Sequence, residues 1–292
     1  MPDANYPRIS IVTPSYNQGQ FIEQTIRSVL LQNYPNLEYI IIDGGSTDNT
    51  VETIEKYEQY ITYWVSEPDR GQSHAINKGF ARCTGEIMAW LNSDDLYLPS
   101  ALKTIARIFS ERPNIDLVTG AGISYQEETK EAIPIRACGT GIYPTTALML
   151  AQHGCIAQHS TFWRRSTWQQ LGSIREDLHY AMDQEFFLRC CDAKCKFYLT
   201  AEPLAVFRQY SGQKTACGNR YVEDSDRVIA EFKIANPYWY SLPGRTKIRW
   251  AKLLWTLSHH RNIHPRIGLV PRLDPELVSW LKALTQIDRT QI

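Results

Sequence analysis

The chain lacks what would tie it to several common protein classes. Its 292 residues carry 31 Lys plus Arg against 31 Asp plus Glu, so no net positive field draws it to nucleic acid. No run approaches the roughly 20 apolar residues that a membrane-spanning helix needs. The opening stretch from Met1 to Arg8 lacks the charged and apolar parts of a signal peptide. The seven cysteines (Cys83, Cys138, Cys155, Cys190, Cys191, Cys195 and Cys217) show no zinc-type pair of CxxC spacings. An odd number without such pairs favours reduced thiols in a cytosolic setting. Two nucleotide motifs are missing as well: there is no GxxxxGK[ST], and no GxGxxG follows the first strand pattern. The expectation is a cytoplasmic protein that touches a membrane, if at all, only from its inner surface.

What is present reads as an ordinary globular protein, with 43% hydrophobic and 21% charged residues. Strand and helix patterns alternate over the first hundred residues. Ile9 to Thr13 is a β-branched apolar run, followed at helical spacing by Phe21, Ile22, Thr25, Ile26, Val29 and Leu30. Leu37 to Ile42 is a second strand that ends in Asp43-Gly-Gly-Ser-Thr-Asp48, where Ser46 or Thr47 is placed to cap the helix carrying Val51, Ile54 and Tyr57. A third strand near Tyr63 to Val65 leads through Glu67-Pro-Asp-Arg-Gly71 into a short helix ending at Ala81. The fourth strand, in Glu86 to Asp95, is a short apolar run that stops at adjacent carboxylates. Such alternation predicts an α/β fold with a mostly parallel sheet flanked by helices, and ligands outside the carboxyl ends of its strands.

Polar residues collect at those strand ends: Thr13, Pro14, Ser15 and Asn17 after the first, Asp43 after the second, Asp69 and Arg70 after the third, Asn92, Ser93, Asp94 and Asp95 after the fourth. One such cluster is turn chemistry, whereas four in succession define a rim suited to a nucleoside diphosphate. Asp94 and Asp95 admit two readings. Paired hard carboxylates suit Mg²⁺ or Mn²⁺, and acidic residues also decorate the turn before a helix, here one opened by Pro99.

The segments Ile9-Ser-Ile-Val-Thr-Pro-Ser-Tyr-Asn17, Asp43 to Asp48, Glu67 to Gly71, Asn77-Lys-Gly, Asn92-Ser-Asp-Asp95 and Met182-Asp-Gln-Glu185 occur in an order and spacing that resemble the family 2 glycosyltransferases, over about residues 8–215. The resemblance is nearest to bacterial members that build O-antigen and other surface polysaccharides. It implies a GT-A fold, in which 1–220 is the catalytic domain, with 1–115 the nucleotide-sugar half and 116–220 the acceptor half, and 221–292 a basic helical extension. It implies a hexosyltransferase-type activity with Mn²⁺ or Mg²⁺ as cofactor, a UDP-sugar as donor, and a glycan or lipid-linked saccharide as acceptor.

Carried onto this chain, the resemblance sets Thr13, Pro14, Ser15, Asn17, Asp43, Asp69, Arg70, Asn77, Asn92, Ser93, Asp94 and Lys214 against the nucleotide-sugar. Asp94 is then the metal ligand with Asp95 beside it, although Asn92 stands where the family's motif has an acid. Asp183 falls at the catalytic base, with its use as a helix cap the alternative. His159 and Glu185 lie on the acceptor side, where a lone His is also a common structural residue. Lys214 belongs to a loop, Phe207 to Thr215, that closes over the diphosphate, or else is a solvated surface lysine; Tyr210 stands there where relatives often carry His. One base opposite the leaving group implies inversion at the anomeric carbon.

The second half shows strand patterns at Asp116 to Thr119, Ser160 to Arg164 and Leu204 to Arg208, and helical ones at Thr145 to Ala151 and Asp183 to Cys191. From about Tyr221 the pattern is helical, with Pro237, Pro243 and Gly244 marking a linker. Between Leu242 and Leu273 stand seven Lys or Arg and no acid, and Trp250, Leu253, Leu254 and Leu257 form a stripe among them. That stripe fits an anionic membrane surface or the flank of the catalytic domain. Two rivals to transfer remain: a sugar-phosphate nucleotidylyltransferase, which wants a basic glycine-rich loop absent from Pro14 to Gln18, and a non-catalytic nucleotide-sugar or carbohydrate-binding module.

Overall fold

The computed structural model describes residues 6–135, 145–151, 156–214 and 220–261. In chain order the elements are β1 (Ile9–Ser15), α1 (Ile22–Leu30), β2 (Leu37–Asp43), α2 (Thr50–Glu55), β3 (Tyr63–Ser66), α3 (Gln72–Phe80), β4 (Ile87–Trp90), β5 (Leu96–Tyr97) and α4 (Ala101–Glu111). They continue with β6 (Leu117–Gln126), β7 (Ala132–Ile135), α5 (Thr146–Met149), β8 (Thr161–Arg164), α6 (Arg165–Leu171), α7 (Met182–Asp192), β9 (Phe197–Gln209), α8 (Arg220–Ala235) and α9 (Leu242–Arg261).

The strands join one sheet in the order β3-β2-β1-β4-β8-β6-β9-β5, with β7 beside the far end of β6. The first four are mutually parallel, as the sequence predicts, and β6 also runs parallel to β9. Side-chain alternation divides the core. Ile9, Ile11, Tyr39, Ile41, Ile87 and Ala89 point to the layer built by α1, α2 and α4, while Val12, Ile40, Ile42, Met88 and Trp90 point to the layer of α3, α5, α7 and α8. Both faces are covered, so β1, β2 and β4 need continuous apolar sequence rather than an alternating pattern. Because the inner strands run the same way, their carboxyl ends open on one rim.

Several expectations are corrected. β5 and β7 were not read from the sequence; β6 and β9 are far longer than their apolar cores, reaching into Ser124-Tyr-Gln126 and Phe197-Tyr-Leu-Thr200. Neither Ser46 nor Thr47 caps α2. Asn49 occupies the cap position, and Asp48 accepts the Thr50 N–H at 3.0 Å. Pro243 and Gly244 lie inside the first turn of α9 instead of marking a linker, since proline near a helix start removes only a donor with no partner there. Val228 and Ile229 of α8 are buried in the same cluster as Phe186 and Phe187, so this helix is part of the core layer. On α9, Ile248 and Ala251 pack toward that cluster, whereas Trp250, Leu253 and Leu254 are exposed. Leu257 and residues 262–273 of the basic segment lie outside the described side chains. Among the described residues no helix is long and apolar enough to cross a membrane, and Cys83, Cys190 and Cys195 are in no disulfide.

Candidate active site

The rim begins where β1 and β2 end together. Thr13 is fully buried against Tyr39, Oγ1 to hydroxyl 3.2 Å, and Pro14 is buried beside it. Ser15 keeps a buried hydroxyl with no hydrogen-bond partner among the described residues. Asp43 has no solvent exposure. Its carboxylate accepts from the N–H groups of Gly45 (3.1 Å) and Ser46 (2.8 Å) and from the hydroxyls of Ser46 (2.5 Å) and Ser66 (2.6 Å). Asn17 ties the next loop to this turn, donating its N–H to Ser46 Oγ (2.7 Å) and accepting the Thr47 N–H (2.9 Å). A side chain on Gly44 would bring its Cβ to 2.7 Å from Asp69 Oδ2, so glycine there lets the β3 loop approach β2. Asp69 in turn accepts the N–H of Gly71, whose φ of +107° suits glycine at the start of α3.

Two predicted donor-side residues are engaged elsewhere. Arg70 forms an ion pair with Glu176 (Nη2 to Oε2, 2.6 Å) on the exposed edge of the site. The Asn77 amide holds residues 174–176, donating to the Ile174 carbonyl (2.8 Å) and to Glu176 (3.1 Å) and accepting the Ile174 N–H (3.0 Å). Asn77 is therefore a brace under the Arg70–Glu176 pair and offers no spare amide to a sugar.

The turn after β4 is pinned from two sides. Thr25 Oγ1 on α1 reaches the carbonyls of Ser93 and Asp95, both at 2.8 Å. Arg208 on β9, itself buried, donates its N–H to Asp95 Oδ1 (3.1 Å) and its Nε to the Asp94 carbonyl (2.9 Å). Its guanidinium also pairs with Glu127 (2.6 Å) and lies over the Phe21 ring. Asn92 accepts from Gln72 (2.8 Å) and donates to Asp95 Oδ2 (3.2 Å). The expectation that Asp95 shares a metal with Asp94 is corrected by this geometry: Asp95 has no exposure, and both its oxygens hold protein donors. Burial, then the neighbouring Asp94 charge, pushes the Asp95 carboxyl well above the usual carboxylate range.

Asp94 is the member of the pair with surface. Its Oδ2 accepts from the Tyr210 hydroxyl at 3.3 Å, and burial raises its carboxyl above the ordinary value against the opposing pull of Tyr210 and Arg208. No group of three His, Cys, Asp or Glu among the described residues forms a complete metal cage. A divalent ion fits at Asp94 nonetheless, because Mg²⁺ and Mn²⁺ sites at diphosphates commonly use only one or two carboxylates and complete their shell with substrate oxygens, and Asp94 is the carboxylate of the pair that keeps exposure.

Across the site, α7 begins at Met182 with Ala181 at the cap position, φ +43°. Asp183 is thus inside the first turn and is not the cap residue; its Oδ1 accepts the Gln184 N–H at 2.8 Å. Burial raises its carboxyl, opposed by that helix-terminal N–H and by Lys214. Lys214 Nζ donates to Gln72 Oε1 (2.9 Å), so a polar chain runs from Lys214 through Gln72 and Asn92 to Asp95. Burial lowers the Lys214 ammonium to about 8, despite Asp183 and Asp224 nearby. Lys214 is therefore no solvated surface lysine.

The two acceptor-side residues prove structural in their contacts. Glu185 grips Arg189 through both oxygens (2.8 and 2.9 Å), and Arg189 binds the carbonyls of Leu171 and Ser173. His159 is buried, stacks on Phe207 with centroids 5.4 Å apart, and is held neutral by burial, its pKa pushed to about 4. Gln72 and Arg208 are not singled out by sequence, nor is Gln158, whose amide donates to the Trp90 carbonyl (2.8 Å) and accepts from Asn92 (3.5 Å). Gln72 directly follows the Glu67–Gly71 segment, and Arg208 falls within Phe207 to Thr215, whose first three residues are the end of β9 and not loop, so both lie in or beside a recognised motif.

A sequence model described as glycosyl transferase family 2 matches residues 10–170. An uncharacterized glycosyltransferase of Mycobacterium tuberculosis is 29% identical over 220 residues, covering 69% of this chain and 80% of its own. The putative teichuronic acid biosynthesis glycosyltransferase TuaG of Bacillus subtilis is 35% identical over 128 residues, covering 42% of this chain and 50% of its own. Among solved structures, residues 1–349 of Staphylococcus aureus TarS in complex with UDP-GlcNAc superpose with a TM-score of 0.65 at 17% identity, over 96% of this chain and 81% of that one. The mannosyltransferase PcManGT of Pyrobaculum calidifontis, in complex with GDP-Man and Mn²⁺, does so with a TM-score of 0.58 at 17% identity, over 98% of this chain and 88% of that one. These likenesses bear out the GT-A fold.

Proposed function

The chain belongs to glycosyl transferase family 2, and from that premise we propose that it moves a sugar from a UDP-sugar to a glycan or lipid-linked saccharide with inversion at the anomeric carbon. The observation that carries this reading is Asp183, a carboxyl in the first turn of α7 whose affinity for protons is raised by burial. A base must take a proton and then survive as a neutral acid, which a raised carboxyl does better than an exposed one. The acceptor hydroxyl gives its proton to Asp183 as its oxygen bonds to the anomeric carbon; the bond from that carbon to the diphosphate breaks, and the electron pair leaves with the nucleotide. One displacement inverts the configuration. Lys214 supplies positive charge toward the leaving diphosphate, while Asp43 and Asn17 shape the loop against which the nucleoside lies. Asp94 would hold a Mn²⁺ or Mg²⁺ ion, which when bound neutralises charge on the departing phosphate.

The UDP assignment draws on the likeness to a UDP-GlcNAc complex, and a surface-polysaccharide role on the likeness to a putative teichuronic acid enzyme. A peripheral place on the inner membrane face is supported by α9, where exposed Trp250, Leu253 and Leu254 stand among exposed Arg245, Lys247, Arg249 and Lys252. A donor screen reporting nucleotide release, with and without Mn²⁺ and with lipid-extract acceptors, tests the reading. Turnover with a UDP-sugar supports it; release from no nucleotide-sugar would favour a non-catalytic binding module.

A further inference from the structure

Tyr210 has two sides. Its hydroxyl reaches Asp94, and its ring packs on Phe21 with centroids 4.5 Å apart, yet the same residue also lines a cleft of about 540 Å³ with Gln126, Glu128, Phe207 and Gln209. That volume is within the range of ordinary small-ligand sites, about 300–1,000 Å³. We propose that this cleft, which shares Tyr210 with Asp94, binds sugar units of the acceptor beyond the one that reacts. The assignment rests on the transferase reading above and deepens it.

The cleft is made by the paired ends of β6 and β9. Phe207 and Gln209 alternate onto one face of β9, and Gln126 stands opposite Gln209 in the β6 register. Phe207 is partly exposed and is backed by His159, whose ring lies at 21° to it, so the aromatic face is held in one orientation. Flat aromatic surface of this kind packs against the C–H face of a sugar ring.

Polar groups surround that face in the manner a hydroxyl-rich ligand needs. The Gln126 amide donates to Gln209 Oε1, which Ser124 also reaches at 3.0 Å. That pairing fixes both amides and leaves the Gln126 oxygen and the Gln209 amino group to serve a ligand, since each amide carries both donor and acceptor capacity. Glu128 adds a carboxylate anchored by the Ser211 N–H at 2.7 Å. The described lining includes this one acid and no Lys or Arg. A phosphate group would meet repulsion there without compensation, whereas a neutral or amino sugar would find acceptors for its hydroxyls. Continuity with Asp94 through Tyr210 makes the acceptor chain the fitting occupant, as a saccharide lying in this cleft would have its end beside the transfer site.

The test is saturation-transfer NMR and titration of the full chain with a panel of short oligosaccharides of glucose, galactose, mannose and N-acetylglucosamine, with UDP titrated in parallel. At least one panel member should bind the wild type, and Gln126→Leu should weaken it by about tenfold, the loss of one well-placed hydrogen bond and its geometry. Phe207→Ala should do the same, and Gln126→Leu keeps the test open if removing the ring from beneath His159 prevents folding. UDP affinity should be unchanged in Gln126→Leu, which lies on β6 outside the Phe207–Thr215 segment. UDP binding with no oligosaccharide binding, or oligosaccharide binding indifferent to both substitutions, overturns the cleft assignment alone; absence of UDP binding as well overturns the nucleotide-sugar reading beneath it.

Discussion

The Tyr210 hydroxyl lies 3.3 Å from Asp94 Oδ2, joining the loop after β9 to the carboxylate at the end of β4 across 116 residues of sequence. Tyr210→Phe keeps the ring on Phe21 and removes only this donor. We expect the loss of roughly 1 kcal/mol of positioning, about a fivefold fall in kcat/KM, with the melting temperature nearly unchanged. An unaltered kcat/KM would mean that Asp94 needs no support from this loop.

Asp43 holds its turn through four donors while fully buried, so its removal acts on the fold as well as on nucleotide binding. Asp43→Ala leaves those donors without an acceptor and should destabilise the protein by about 2 kcal/mol or more. Urea unfolding read beside UDP titration separates the two effects. A stability equal to wild type with weakened UDP binding would restore a purely ligand-facing role.

Lys214 gives a pH dependence. Burial lowers its ammonium to about 8, so the charged form prevails below that value and fades above it. UDP affinity should therefore decline between about pH 7 and 9, since bound diphosphate favours the protonated lysine. Lys214→Arg, charged throughout, should flatten the decline. A wild-type affinity that does not vary over this range would remove Lys214 from the diphosphate.

On α9, replacing exposed Trp250 and Leu254 together by Ser should cut co-sedimentation with anionic vesicles by roughly tenfold, because the buried apolar area and not charge alone holds an interfacial helix. No co-sedimentation of wild type with anionic vesicles, or binding unchanged by the double substitution, would argue against the membrane role of this stripe.

The parallel half of the sheet was legible because β1, β2 and β4 are short, apolar and closed by turn residues, and the rim followed from their common direction. What the sequence hid depends on distant partners. Leu96–Tyr97 is too short to show a period and becomes β5 only through its pairing with Val206 and Ala205. Arg70 looked like a phosphate cation until Glu176, over a hundred residues on, was found beside it. Asp94 and Asp95 are indistinguishable as letters, yet Arg208 and Asn92 hold both oxygens of one in the interior while the other stays half-buried. Asp183 and Glu185 share a helical turn, and only Arg189 shows that the second carboxylate is structural.

That contrast points to the decisive measurement, transfer and donor binding by Asp183→Asn. Asparagine keeps an oxygen for the Gln184 N–H and, because Ala181 holds the cap position, leaves the helix start intact. The account predicts UDP affinity within about twofold of wild type and sugar transfer reduced by about 10² or more, the share of a general base. Near-wild-type transfer by a folded Asp183→Asn protein would contradict it and take the base away from this position.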